Sequence, residues 1–412
     1  MDLLRKTGRM PPMKISITEK ENLRKFAGTA LFNLGFRPFF LGAGVVGVLA
    51  MFAWWGQYSG YIGSADLTPA WHAHEMLFGY TLAVIAGFLL TSVRNWTGLD
   101  TVSGARLFAL FCFWVVARVA NALGYIEIAA VSDLVFMLWF GWCAVVPIIK
   151  VKQWRQTAIV GIIITLALAN GLYYAGQLSL VTNGIYFGNY IGFYVVVGLI
   201  LVMTGRVVPF FIERGVEEEV QLPSNPRLEF FIFIAYVAFV VANLVQPAMS
   251  IANNFVYGLA ALLFVLNCIR LMSWYAKGIW QKPLLWTLFV AYGFIVLGFL
   301  LYALLFFGWF NIFIPIHSIA VGGVGLLTLS MMARVTLGHS GRSIHEPPGL
   351  MTFAFAALLA ATVLRVFFPL LLPGFHVLWI QASQLLWITA FALFLVAYSP
   401  MLTQPRIDNR PG

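Results

Sequence analysis

Charge is scarce in this chain. Charged residues make up 10% of its 412 positions, against roughly 25% in an ordinary soluble domain. Cysteine is scarcer still. Cys112, Cys143 and Cys268 stand far apart inside apolar runs, which excludes a disulfide framework and a CxxC metal motif. No separate soluble domain, low-complexity tract or short repeat is visible, and no cleavable signal peptide is expected at the start. Hydrophobic residues instead reach 61% and aromatics 16%, with a mean hydropathy of +0.89. A water-soluble globule could not hide that much apolar surface.

Apolar runs of roughly 20 residues recur along the whole chain, each long enough to cross a hydrocarbon core of about 30 Å as a helix. Twelve spans are predicted, at about 35–56, 70–93, 105–124, 128–149, 156–176, 184–207, 228–246, 251–270, 284–307, 310–334, 349–371 and 376–399. Their Gly-rich, helix-period pattern excludes an outer-membrane barrel. The fold class is therefore an all-α polytopic membrane protein, forming one integral domain from 1 to 412.

The 25 basic residues and 15 acidic ones leave a formal charge of +10. In a membrane protein this reports loop topology rather than a nucleic-acid surface. All but two of the 25 basic residues lie in the N-terminal segment to Arg37, in the loops after even-numbered spans, or in the tail. The loops after odd-numbered spans hold none. By the positive-inside rule both termini face the cytoplasm. The first 27 residues form a basic cytoplasmic segment, and 206–227 is the longest cytoplasmic loop. Glu213 and the run Glu217 to Glu219 in that loop read as a solvated stretch.

That orientation sorts the six histidines. Thr68 can cap the second span and Pro69 suits its first turn, so His72 and His74 lie about 5–8 Å below its outer end. His317 is about two turns into the tenth span, and His376 opens the twelfth. Four histidines thus share one outer slice, while His339 and His345 lie on the cytoplasmic side. Imidazole binds haem iron, copper or zinc, and ionisable groups inside a span need partners or ligands. A lone interfacial histidine such as His376 also serves as a simple anchor.

His72 and His74 point roughly 200° apart on a helix, so they are expected to serve different groups. His72 is placed on a face with Glu75 and Met76, possible metal neighbours. His74 is placed with Phe78 and Thr81. Two basic residues, Arg118 and Arg365, fall inside spans at the histidine level. Arg118 can pair with Asp133, or either arginine can dock a carboxylate such as a haem propionate. His339 follows His317 by 22 residues, roughly 33 Å of continuous helix, too far to share one iron. It reads as loop packing, or as a second haem or anion site with Arg37 or Arg94.

Several segments resemble the NnrS family. They are LFNLGFRPFFLGA at 31–43, WHAHEMLFGY at 71–80 running into IAGFLLTSVRNWTG at 85–98, and HSIAVGGVG at 317–325 running into MMARVTLGHSGR at 331–342. The motifs fall in both halves of the chain, so the resemblance covers essentially all of it. It implies a bacterial inner-membrane protein with haem, expected as haem b, and possible copper, in a nitric-oxide or nitrosative-stress context. Together these readings make the chain a haem-bearing membrane protein handling nitric oxide or a related small gas. His72, His74 and His317 are the expected ligands, Glu75 lies beside a copper ion, and Arg118 and Arg365 face propionates. Besides the gas, the lipid bilayer is the expected partner, and no electron donor can be named. The alternatives are a transporter whose polar path is lined by Asn170, Asn189, Asn243, Asn253 and Asn254, and a metal-handling or assembly partner without turnover.

Overall fold

The computed structural model describes residues 30–249 and 253–408, without the side chains of 246–249. The basic segment 1–27 and Arg410 lie outside the described residues. Among the described residues, twelve helices are long and apolar enough to cross a membrane: α1 Phe36–Tyr58, α2 Pro69–Thr97, α3 Gly104–Ala122, α4 Ile126–Lys150, α5 Trp154–Gln177, α6 Gly184–Gly215, α7 Pro226–Val245, α8 Asn253–Ser273, α9 Pro283–Phe307, α10 Phe313–His339, α11 Leu350–Leu371 and α12 Pro373–Thr403. No strand occurs among the described residues. The chain is a multi-pass all-α membrane protein.

Most consecutive helices pack as antiparallel neighbours, and α12 returns to lie against α1. The core spans are α2 and α10. Each has 78% of its apolar window buried inside the protein, against 28–56% in the other ten. Both carry small residues where neighbours cross, as membrane interfaces favour when dispersion packing replaces a hydrophobic driving force. The closest crossing is on α6, where Gly184, Gly188 and Gly192 recur every fourth residue. A methyl group on Gly188 would stand 2.6 Å from the Tyr173 nitrogen of α5, and one on Gly192 would stand 2.7 Å from the Phe78 ring of α2.

Both core helices depart from α geometry at one place. Glu75–Thr81 in α2 and Ser318–Gly325 in α10 are π-helical. Each wide turn begins directly after a histidine, His74 or His317. π turns of this kind are rare and frequently mark functional sites. The two helices are tied by a 2.5 Å hydrogen bond between the Tyr80 hydroxyl, within the first π turn, and Thr328 Oγ1, just past the second.

Some boundaries differ from the sequence expectation. The helix α6 runs on to Gly215, so the connection expected at 206–227 shrinks to 216–225. The reason is local: Val207, Val208 and the Phe210–Ile212 stretch keep the helix apolar around two arginines. Arg206 reaches Gln156 at 3.2 Å, and the Arg214 guanidinium covers the Phe210 ring at 5.1 Å. The acidic run Glu217–Glu219 is exposed, as expected, and two of its carboxylates also find partners. Glu217 pairs with Lys282 at 2.7 Å, and Glu218 accepts the Gly278 N–H at 2.9 Å.

Antiparallel packing collects Arg37, Arg94, His339 and Arg406 at one end of the bundle. His72, His317 and Arg365 lie at the other, charge-poor end. A labelling experiment orients these ends. In a background lacking the three native cysteines, cysteine at exposed Ala65 should react with an impermeant maleimide on intact cells. Cysteine at exposed Ser224 should react only after permeabilisation. The opposite pattern would invert the expected topology.

Candidate functional site

Thr68 caps α2 through its Oγ1, which accepts the Trp71 N–H at 3.1 Å, and Pro69 occupies the first turn. This fixes where the following two histidines point. They leave the helix on different sides and enter different clusters.

His74 is fully buried among α2, α3, α4 and α5. Its Nε2 meets Asn170 Oδ1 at 2.9 Å, and its Nδ1 meets Glu75 Oε1 at 3.2 Å and Asn121 Nδ2 at 3.3 Å. The ring stacks on Tyr173 with centroids 3.9 Å apart and lies 5.0 Å from Phe78. Arg118 donates to Glu75 at 2.8 Å and to Asp133 in a very short contact. Asn121 donates to Glu75 at 2.7 Å, and the Tyr174 hydroxyl donates to Asp133 at 3.0 Å. Two carboxylates and one guanidinium are thus desolvated together, which is tolerable only because they pair.

This geometry corrects three expectations. Glu75 belongs with His74, not on a face with His72. The attraction of Arg118 and Asn121 draws its long side chain across α3, where the π turn starts. Both His74 nitrogens are engaged by this chain, which leaves no open lone pair for a metal, so the expected ligand role of His74 does not fit. Arg118 spends its terminal nitrogens on Glu75 and Asp133, so it fits the pairing reading and not that of a propionate partner.

The second cluster lies across α2, at the charge-poor ends of α1, α10 and α11. The His72 ring stacks on Trp54, with centroids 4.9 Å apart and planes 8° from parallel. His317 turns its Nδ1 to the Phe313 carbonyl one turn back, at 2.7 Å. Arg365 Nη2 is 3.3 Å from each ring nitrogen of His317. That equal spacing describes a guanidinium nitrogen shared between the two ring nitrogens rather than one directed bond to Nε2. His72 and Arg365 fall within electrostatic reach of His317, and Tyr58 within reach of Arg365. Trp54, His72, His317 and Arg365 are all half-buried, so this cluster borders accessible space while the His74 cluster does not.

The remaining expected residues stand apart. His376 is exposed at the start of α12. His339 ends α10 at the basic end, 5.5 Å from the Phe36 ring and within electrostatic reach of Arg37, Arg94 and Arg406. The helix joining it to His317 continues through its π turn, so the two remain at opposite ends. Among the described residues, no three His, Cys, Asp or Glu side chains are close enough to hold a metal ion. Trp54, Tyr58 and Asn121 were not singled out from the sequence. A tryptophan four residues before a tyrosine near a span end looks like an ordinary interfacial pair, and only the stack on His72 distinguishes it.

The model of the NnrS protein family matches residues 30–406. The chain belongs to the NnrS family. It matches none of the curated proteins with which it was compared. The NnrS match takes in both histidine clusters, the two π turns and the basic end, so no candidate residue lies outside it. Within this NnrS chain the asparagines expected to line a polar path are largely committed to the fold. Asn170 holds His74, Asn189 donates to the Ala70 carbonyl at 3.1 Å, and Asn243 donates to the Phe239 carbonyl at 2.8 Å.

Proposed function

We propose that this NnrS-family protein binds haem b at the charge-poor side of a bacterial inner membrane and handles nitric oxide there. The observation that carries this reading is the pair His72 and His317, set on the two most buried spans with Arg365 beside them. Haem would supply an iron that binds nitric oxide and exchanges electrons. The chain's own groups fit such a guest. The Nδ1–H of His317 donates to the Phe313 carbonyl, which fixes the tautomer, and its Nε2, 3.3 Å from Arg365 Nη2, would be freed for a ligand as that guanidinium turns to a propionate. His72 offers a second imidazole from the facing span. Arg365 supplies a guanidinium suited to a propionate carboxylate, and Trp54 keeps water from one face of His72.

Copper is not supported in the same way. Glu75 is committed to Arg118 and Asn121, and His74 has no open nitrogen, so the expected copper neighbours are spent within the chain.

The test is a visible spectrum with metal analysis on detergent-purified protein. The expected result is a Soret band at about one haem per chain, lost when His72 and His317 are both changed to Ala. A folded, monodisperse but colourless wild-type protein would refute the reading. Changing His345, exposed in the loop before α11, should leave the spectrum unaltered.

A further inference from the structure

The two histidines of the charge-poor cluster are held very differently. His317 is anchored twice. Its Nδ1 donates to the Phe313 carbonyl at 2.7 Å, and buried Ile314 and Pro315 fix the turn before it. A ligating histidine ordinarily donates its second ring N–H in this way, which sets ring orientation and raises ligand basicity. His72 has no such anchor. Its Nδ1 is buried and meets no hydrogen-bond partner in the protein. Its hold is the face-to-face stack on Trp54, and a stack leaves the ring free to slide in its own plane. His72 also sits in the first turn of α2, behind the irregular 59–68 connection, whereas His317 opens a π turn inside the core.

Resting on the haem reading above, we propose that His317 is the permanent axial ligand and His72 the displaceable one, with Trp54 setting how readily His72 leaves. A diatomic ligand would then bind on the His72 side. The orphaned Nδ1 is the physical basis. An imidazole without a second-shell acceptor is a weaker base and loses less on release than one held by a carbonyl. Trp54 is a positioning residue in this scheme, since it acts only through His72.

The experiment compares wild type, His72→Ala, His317→Ala and Trp54→Leu as purified holoproteins, with and without added imidazole. Carbon monoxide on the reduced protein serves as the diatomic probe. His72→Ala should keep full haem, change to a high-spin spectrum, and bind carbon monoxide about tenfold or more tightly, because an internal competitor has been removed. His317→Ala should lose haem while eluting as folded protein, and imidazole should restore the band. Trp54→Leu should keep haem, with a carbon monoxide affinity between wild type and His72→Ala. The assignment is overturned if His72→Ala loses haem while His317→Ala retains it, if the two variants behave alike, or if Trp54→Leu binds carbon monoxide as wild type does. A colourless wild type would instead sink the haem reading and the assignment with it, so the two failures are distinguishable.

Discussion

Arg118→Ala should lower the stability of the protein by about 3–5 kcal/mol, the cost of leaving buried charges without their partner. The guanidinium is 7% exposed and bridges Glu75 and Asp133, which are 2% and 0% exposed. Its removal leaves two buried carboxylates without their shared counter-charge. The same pocket holds Asn121 and Tyr174, whose donors are already used on those carboxylates. The loss should appear as a lower thermal midpoint in detergent and a smaller yield of monodisperse protein. A triple variant, Arg118→Leu with Glu75→Gln and Asp133→Asn, removes the charges together and should recover most of the loss. An Arg118→Ala protein as stable as wild type would show that the cluster is not a closed ion network.

Gly188→Val is the second change expected to be severe. The space beside Gly188 is filled by the Ala169 carbonyl at 2.7 Å and the Tyr173 nitrogen at 2.6 Å. These are backbone atoms of a neighbouring helix and cannot rotate away. Overpacking of this kind costs about 1–3 kcal/mol where side chains can adjust, and more is expected here. Tyr173 carries the stack on His74, so the shift should also loosen the cluster above. Gly161→Val is the control, because nothing lies within 4 Å of its added carbon. Equal stability of the two variants, measured by thermal unfolding in detergent, would refute the close crossing of α5 and α6.

The spans were legible because bilayer thickness imposes a length, and an apolar run of that length leaves few other readings. The alternating loop charge likewise ordered the helices, and with them the level of each histidine. That His72 and His74 leave opposite sides of α2 followed from helix periodicity alone. What stayed hidden has a common cause. A π turn changes hydrogen-bond register without a compositional mark, so Glu75–Thr81 and Ser318–Gly325 read as plain helix. Glu75 was misplaced because a helical wheel gives the direction of Cβ, while a long, flexible side chain follows its counter-charge. Asn121 looked like any polar residue near a span end. Its importance depends on α3 crossing α2 at one particular height, which one chain's pattern does not encode. The run-on of α6 past Arg206 and Arg214 was missed for a related reason: long basic side chains can leave the apolar layer while their backbone remains in it.

Arg37 has a consequence for how the protein is made. It lies at the start of α1 and is completely buried. Its Nη1 donates to the carbonyls of Met401, Leu402 and Gln404 at 3.1, 3.0 and 2.8 Å. The Ala30 N–H donates to Thr403 at 2.8 Å, and the Trp387 indole donates to the Gly47 carbonyl at 3.0 Å. The helix α1 is thus completed by α12, which is synthesised eleven spans after it. Until α12 is synthesised, α1 must wait in the bilayer with one flank open and its buried cation turned toward the headgroups. Closure of this seam requires α12, because it unites Arg37 with Leu402, 365 positions away. A nascent chain stopped before α12 would therefore expose α1 to quality-control proteases, and ribosome stalling within the final span would leave an insertion intermediate rather than a nearly finished protein.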